Sequence, residues 1–139
     1  MTYVSLVRPR WTDMDVYGHV NHAKMVTLLE EARIPLLFEG AVKAGVEQLP
    51  KGIVVVKLAV AYRRPIVVSG QDLRVDIDLT ELKAASFTLS YRVHGGPAES
   101  DPVAVTAETV LAPYDTVALR PRRLTPPESE FLKQGFADA

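Results

Sequence analysis

The sequence predicts an α+β fold in which an antiparallel sheet wraps around one long helix. Residues 22–39 have apolar side chains at helical spacing, whereas the apolar residues after position 52 alternate with period two. The links at 67–71, 81–85 and 95–101 are short, and short links join antiparallel neighbours because parallel strands need long crossovers. The long helix is then the element available to cover the buried face of the sheet.

The strands follow from alternation. Residues 3–11 alternate loosely and predict a first strand, and residues 52–64 form a long apolar run that ends at a proline. The segments "DLRVDIDL", "SFTLSYRVH" and "PVAVTAETVLAPY" each place apolar side chains on one face. A strand, a helix and then a meander of about four strands are therefore expected.

The central helix has a recognisable start and an internal conflict. Asn21 is expected to cap its first turn, and Gly40 is expected to end it. Pro35 removes one intrahelical hydrogen bond and predicts a kink or an early end. The apolar face comprises Met25, Leu28, Leu29, Ala32, Leu36 and Leu37.

The C-terminal segment predicts a short peripheral helix. Thr125 is the expected cap, Pro126 occupies the first helical position and Glu128 the third. The 139 residues fit one domain, 1–139, in which 119–139 form a C-terminal extension.

Composition narrows the classes of function. The formal net charge is −1 with no like-charged tail, which argues against nucleic-acid binding, and the chain has no cysteine. The N-terminus lacks the pattern of a signal peptide, and no apolar run is long enough to span a bilayer. A soluble, cytoplasmic protein that acts on an acyl substrate or binds a partner protein is expected, without membrane association.

The stretch "DMDVYGHVNHAKM", residues 13–25, concentrates polar residues just before the helix. Helix capping explains one or two of them. Asp13, Asp15, His19 and His22 are metal-ligand types, but they lack H-x-x-x-H spacing, so no metal is predicted. A Ser–His–Asp hydrolase is rejected because G-x-S-x-G is absent.

A fourth interpretation uses the start of the helix chemically. Free N–H groups at a helix N-terminus carry partial positive charge and can stabilise an oxyanion. A carboxylate on the preceding loop, which turns at Gly18, could attack a carbonyl or activate a water beside it. One loop would then supply both halves of an acyl-transfer site.

These residues resemble a known family. The stretch "RWTDMDVYGHVNHAKMVTLLEEAR", residues 10–33, is similar to the signature of hotdog-fold acyl-CoA thioesterases of the 4-hydroxybenzoyl-CoA thioesterase type. The later strands also resemble that family, including an aromatic residue at Tyr62, Pro65 and the turn Gly70 to Asp72. The signature positions are Trp11, Asp13, Asp15, Gly18, His19, Val20, Asn21, Glu30, Ala32 and Arg33.

The resemblance implies roles in a thioester hydrolase that needs no cofactor. Asp15 would be the general base or the nucleophile, and the backbone N–H of His22 the main oxyanion donor. Gly18 and His19 would shape the loop, and His19 or Asn21 would orient the water or the carbonyl. Asp13 is expected to be structural. Some relatives carry the catalytic acid on the helix, so Glu30 and Glu31 are alternative positions for it. Glu30 is expected instead to pair with a basic side chain.

The resemblance also implies how acyl-CoA binds. Met25 stands where the family often has a tyrosine that lines the acyl pocket, and His22 replaces an asparagine, so substrate choice is expected at both. A homodimer, often paired into a tetramer, would place residues 54–58 of the neighbouring subunit in the pocket. The expected substrate-binding residues are Met25, Val54, Val55, Val56, Lys57, Tyr62, Arg63 and Lys83, while Arg64, Arg92, Arg120, Arg122 and Arg123 are further candidates for the phosphates.

Two other functions remain open on the sequence. A hotdog domain could bind acyl-CoA without turnover, as a sensor or partner. A hydratase or dehydratase could also use this fold, with His19 beside a carboxylate to move a proton on carbon.

Overall fold

A computed structural model describes residues 2–137, with the side chain of residue 137 left out of the description. No helix within this range is long and apolar enough to cross a membrane. The main elements are β1 (Thr2–Val7), α1 (His22–Ile34), α2 (Ala41–Lys43), β2 (Ile53–Tyr62), β3 (Leu73–Leu82), β4 (Phe87–His94), β5 (Val103–Asp115), β6 (Arg120–Pro121) and α3 (Pro126–Ala137).

The strands form an antiparallel sheet in the order β1-β3-β4-β5-β2, and β6 adds to β5. The predicted meander is confirmed for β3, β4 and β5. The expectation that short links join neighbours is wrong for β2, which pairs with β5 at the far edge and not with β3. Residues 63–72 therefore carry the chain from β2 at one edge across the sheet to β3, which lies beside the opposite edge strand β1.

The core lies between the sheet and α1. The predicted alternation is confirmed in β4, where Phe87, Leu89, Tyr91 and Val93 are all buried. The α1 side chains Met25, Leu28, Leu29 and Ala32 are buried against this face. The expected α+β fold with a curled sheet around one helix is confirmed.

The end of the central helix differs from the prediction. At Pro35 the α-helix gives way to a π-helical turn over Pro35–Gly40, since proline cannot supply an N–H to the α-helical ladder. Gly40 has helical dihedral angles and does not end the helix. The helical segment ends instead at Gly45, which has φ of 77°. The Gly45 N–H donates to the Val42 carbonyl, and the Val46 N–H donates to the Ala41 carbonyl, which is the Schellman pattern.

The predicted cap of α3 is confirmed. The Glu128 N–H donates to the Thr125 hydroxyl (3.3 Å), and the Glu128 carboxylate accepts the Thr125 N–H (2.8 Å), which is a capping box. Arg122 donates two 2.7 Å hydrogen bonds to the same buried carboxylate. These contacts seat α3 against β1 and β3, where Leu132 and Phe136 are buried.

Strand β2 contains a β-bulge at Val56. The register with β5 shifts between Val55, which faces Leu111, and Lys57, which faces Val110. Directly opposed residues share a face of the sheet, and Leu111 is buried. The inner face of β2 therefore carries Ile53, Val55, Leu58, Val60 and Tyr62, with the alternation shifted by one residue at the bulge.

A charged cluster lies on β3 and β4. Asp76 is buried and accepts from Arg74 Nε at 2.7 Å, and its other oxygen lies 3.0 Å from His94 Nε2. Arg92 donates to Asp78 at 2.7 Å. Burial by itself raises the pKa of Asp76, but Arg74 and His94 outweigh it and hold the pKa of this carboxyl below its usual value.

Candidate functional site

The loop between β1 and α1 is a small hairpin that carries Asp15. The Asp15 N–H donates to the His19 carbonyl (2.8 Å), and the Gly18 N–H donates to the Asp15 carbonyl (3.1 Å). Gly18 has φ of 79°, a conformation that favours glycine. Hydrogen bonds from Val20 to Ile66 and from Val68 to Gly18 fix the hairpin against residues 66–68.

Asp13 fastens the base of this loop. It is fully buried, and its carboxylate accepts the Arg10 backbone N–H at 2.7 Å and the Arg10 guanidinium at 3.3 Å. Burial by itself raises the pKa of Asp13, but the bonds from Arg10 outweigh it and hold the pKa of the carboxyl below its usual value. These contacts have the structural character that the sequence predicted for Asp13.

The carboxylate of Asp15 is held by one of its two oxygens. Its Oδ1 accepts the backbone N–H groups of Tyr17 (2.8 Å) and His19 (3.1 Å). Within residues 2–137 no group forms a hydrogen bond with Oδ2. The arrangement fixes the carboxylate and leaves one oxygen available to a ligand or a water.

Asn21 caps α1 as predicted. Its Oδ1 accepts the N–H groups of Ala23 (2.9 Å) and Lys24 (3.4 Å), and its carbonyl accepts that of Met25 (3.0 Å). No acceptor in the described part of the chain takes the N–H of His22, the first residue of α1. The cap thus leaves one N–H of the first helical turn free, beside the loop that carries Asp15.

Tyr62, at the end of β2, ties the sheet edge to this helix start. Its hydroxyl donates to the His22 carbonyl at 2.6 Å, and the two rings meet edge to face with centroids 6.4 Å apart. Burial raises the pKa of Tyr62 above its usual value. Tyr62 therefore fixes the position of His22.

These groups surround one cavity of about 340 Å³. The structure brings Asp15, His19, His22, Met25, Tyr62 and Arg63 together there, all of them predicted from the sequence. Gly18 and Asn21 shape the site through the hairpin turn and the helix cap. The rest of the lining is Val20, Arg64, Pro65, Ile66 and Val105.

Other predicted binding residues lie away from this cavity within one chain. Lys83 follows β3 at the end of the sheet where Phe87 faces Leu111, and it pairs with Glu81 at 3.2 Å. The cavity lies at the other end, where Tyr62 faces Val105. Of the predicted β2 set, Val54, Val56 and Lys57 line none of the cavities described for residues 2–137, whereas Val55 lines two cavities further along α1.

Two of the candidate phosphate ligands are already engaged. Arg92 bonds Asp78 at 2.7 Å, and Arg122 bonds Glu128. Arg63 and Arg64 are exposed at the cavity, although Arg63 Nε also donates to Thr106 Oγ1 at 3.2 Å. They are therefore the basic groups best placed for an anion beside Asp15.

Sequence reasoning missed one hydrogen bond of the site and part of the cavity lining. It did not predict the hydrogen bond from Tyr62 to His22, because nothing in the spacing of the sequence relates the end of β2 to the start of α1. It also omitted Val105, although Val105 lies on the apolar face of β5 and its alternation was the available signal.

The structure describes no group of three or more His, Asp or Glu side chains within residues 2–137 that could hold a metal ion. The site consists of a carboxylate, a free helical N–H and a neighbouring pair of arginines.

Comparison with known proteins identifies the class. The sequence model of the thioesterase-like superfamily matches residues 9–135, and the chain belongs to that family. The prediction of a thioester hydrolase with the hotdog fold is thereby confirmed at the level of the family. No curated protein matches the chain with significant sequence similarity.

Solved structures agree in fold over nearly the whole chain. A probable thioesterase from Escherichia coli, YbaW, is 28% identical with a TM-score of 0.74, and the match covers 98% of each chain. A Thermus thermophilus thioesterase complexed with coenzyme A and Zn is 25% identical with a TM-score of 0.74, covering 95% of this chain and 92% of that one. A predicted thioesterase from Bacillus stearothermophilus is 18% identical with a TM-score of 0.78, covering 98% and 97%.

Proposed function

We propose that this protein hydrolyses acyl-CoA thioesters at the Asp15 cavity. The observation that carries the proposal is that a carboxylate with one free oxygen and a free backbone N–H line the same cavity. Asp15 has one unengaged oxygen, His22 has a free backbone N–H, and both residues line the same cavity. Thioester hydrolysis needs a group that activates or delivers an oxygen nucleophile and a donor for the oxyanion.

In the hydrolysis step the thioester carbonyl oxygen accepts the His22 N–H. Asp15 takes a proton from a water, whose oxygen adds to the carbonyl carbon. The oxyanion then collapses, the C–S bond breaks, and the thiolate leaves with the proton that Asp15 returns. If Asp15 instead acts as the nucleophile, its carboxylate displaces the thiolate to form an anhydride, which water hydrolyses.

Coenzyme A would bind through its phosphates to the basic side of the cavity. Arg63 and Arg64 are exposed there, and guanidinium groups form bidentate bonds with phosphate. A thioesterase complexed with coenzyme A among the structural neighbours supports this ligand. Met25, buried in the lining, would contact the first carbons of the acyl group.

The proposed assembly is a homodimer joined through β2. This strand is an edge of the sheet, and it exposes Val54, Val55, Val56, Leu58 and Tyr62 by 38–63%. An apolar edge strand without protection favours pairing with another strand.

Two-fold antiparallel pairing of β2 would bring the Ile53 end of one subunit beside the Tyr62 end of the other. Lys83, at the Ile53 end of its own sheet, would then approach the site of the partner subunit. This would reconcile Lys83 with its predicted contact to the substrate.

Thiol release from acyl-CoAs tests the catalytic proposal. Asp15→Asn should lower kcat by about 10²–10⁴-fold, with an unchanged melting temperature, whereas Glu130→Gln, an exposed carboxylate on α3, should retain activity. Full activity of a folded Asp15→Asn protein would contradict the mechanism. Acyl-CoA binding without product would indicate a binding module, and hydration of an enoyl thioester would indicate a hydratase.

Turnover in heavy-oxygen water detects a nucleophilic role of Asp15 where water attacks the anhydride at the Asp15 carbonyl carbon. Anhydride hydrolysis at the Asp15 carbonyl carbon would label the Asp15 carboxylate, as mass spectrometry of the peptide that contains it would show. General-base catalysis would label only the acid product.

Light scattering tests the dimer. Val56→Lys places a charge in the exposed edge, 63% exposed, and should give monomers with reduced activity. Val117→Lys, at a 93% exposed position between β5 and β6, is the matched control. A Val56→Lys protein with the same mass in solution as the wild type would contradict pairing through β2.

A further inference from the structure

Two more cavities follow the Asp15 cavity along the seam between α1 and β2. The first, of about 110 Å³, is lined by Val26, Leu29 and Leu58 among others. The second, of about 320 Å³, is lined by Ile34 and Ile53 among others. Apolar residues form most of the lining of the last cavity and half that of the middle one, in which Thr27, Glu30, Arg33 and Thr109 are the polar members.

The three cavities occur in order along both elements. On the inner face of β2, Tyr62 lines the Asp15 cavity and Leu58 lines the middle cavity. Val55 lines both the middle and the last cavity. On α1, Met25 and Val26 are adjacent and line the first and middle cavities. An acyl chain on a thioester held at His22 would therefore enter the seam beside Met25.

Arg33 interrupts this apolar path. It lines both seam cavities, although its side chain is only 11% exposed. Its Nη1 donates to the Tyr91 hydroxyl at 3.3 Å, which shares a 2.8 Å hydrogen bond with Thr109. Its Nη2 lies 3.8 Å from the Glu30 carboxylate. Glu30 thus pairs with a basic side chain, as the sequence predicted.

A hydrocarbon chain that extended past Arg33 would cover the ion pair of Arg33 with Glu30, whose side chain is 61% exposed and also lines both seam cavities, without offering a hydrogen bond. Desolvating a charged group without compensation is unfavourable. The seam is therefore suited to an acyl chain that ends before Arg33.

The helix gives the length of the available path. Arg33 lies eleven residues beyond His22, about 16 Å at the α-helical rise. Long side chains on a helix lean toward its N-terminus, which brings the guanidinium to about 12 Å from the start. An extended chain advances about 1.2 Å per bond, so roughly ten carbons fit.

We propose that Arg33 sets the length of the acyl group, so that the enzyme prefers medium-chain acyl-CoAs of about ten carbons. This inference rests on the proposed thioesterase function. Arg33 contacts the end of the chain and is a specificity residue, distinct from Asp15 and His22 at the reacting carbon.

The test is kcat/KM for saturated acyl-CoAs from butanoyl to hexadecanoyl. Wild type should peak near decanoyl-CoA, and Arg33→Met should raise the ratio of hexadecanoyl to decanoyl kcat/KM by about 10-fold or more, the scale on which apolar pockets discriminate chains. Arg33→Lys keeps a cation and should keep the wild-type preference. Val26→Phe fills the middle cavity and should move the optimum to shorter chains.

The outcomes separate the two proposals. If wild type hydrolyses none of these thioesters, the proposed function fails. If it hydrolyses them but peaks at hexadecanoyl-CoA, or folded Arg33→Met keeps the wild-type ratio, Arg33 does not set the length. General structural damage would lower kcat/KM for every chain and leave the ratio unchanged. If Arg33→Met does not fold, Val26→Phe decides, and an unchanged optimum overturns the inference.

Discussion

Replacing Arg122 with methionine should loosen α3 from the sheet. Glu128 is buried at 1% exposure and accepts two 2.7 Å bonds from Arg122, in addition to the Thr125 N–H. Removing one partner of a buried ion pair costs about 3–5 kcal/mol, but the Thr125 N–H and the helix dipole still support the carboxylate. We expect Arg122→Met to lower the free energy of unfolding by about 2–3 kcal/mol.

Urea denaturation followed by circular dichroism measures this loss, and a double-mutant cycle with Glu128→Gln isolates the pair. Arg122→Met should also lower Tm by about 10 °C, at roughly 4 °C per kcal/mol for a chain of this size. Coupling below about 0.5 kcal/mol between Arg122 and Glu128 would refute the argument.

The same pair predicts a pH dependence. Burial by itself raises the pKa of Glu128, but Arg122 and Thr125 outweigh it and hold the pKa below its usual value. A carboxyl whose pKa is lowered in the folded state makes its full contribution to stability at pH values above its unfolded pKa of about 4.3. This contribution is lost as the pH falls through the pKa of the folded state. The stability advantage of wild type over Glu128→Gln should therefore be constant from about pH 7 to 5 and shrink below about pH 4. A constant advantage down to about pH 3 would refute this assignment.

Three further predictions concern other contacts. Gly52→Ala places a Cβ against the backbone carbonyl of Tyr114, and the 2.9 Å hydrogen bond from the Tyr114 N–H to the Gly52 carbonyl holds the two residues together, so urea denaturation should show a loss of about 1–3 kcal/mol. Asn21→Ala removes the cap of α1 and should cost about 1 kcal/mol, whereas Asn21→Ser should retain most of it; equal losses for both variants would contradict the cap. Asp76 also has a lowered pKa, so the wild-type advantage over Asp76→Asn should shrink below about pH 4; an advantage that grows in acid would contradict its bonds to His94 and Arg74.

Local patterns in the sequence were enough to predict the elements and much of the site. Alternation identified the inner faces of β3, β4 and β5, because one face of each is buried against α1. Capping chemistry identified Asn21 and the Thr125–Glu128 pair, since a cap depends on residues within one turn. The Asp15 loop was found because its polar residues are adjacent in sequence.

The remaining features depend on distant parts of the chain or, at the end of the helix, on a local irregularity. The position of β2 beside β5 is set by how the sheet curls around α1, and a short link did not prevent the chain from crossing the sheet to β3. Gly45 ends the helical segment after Gly40 because the π-helical turn absorbs Pro35, a local irregularity that regular helical spacing does not predict. The bond between Tyr62 and His22 joins two elements forty residues apart.

The bulge at Val56 makes β2 two short strands with opposite phase. Ile53 and Val55 face the helix in the first part, and Leu58, Val60 and Tyr62 do so in the second. If β2 alternated regularly through Val56 without the bulge, Leu58, Val60 and Tyr62 would turn away from the helix. The bulge is therefore what allows a strand of this length to present Ile53 at the seam and Tyr62 at the site, and a strand without Val56 would keep both side chains facing the helix by regular alternation.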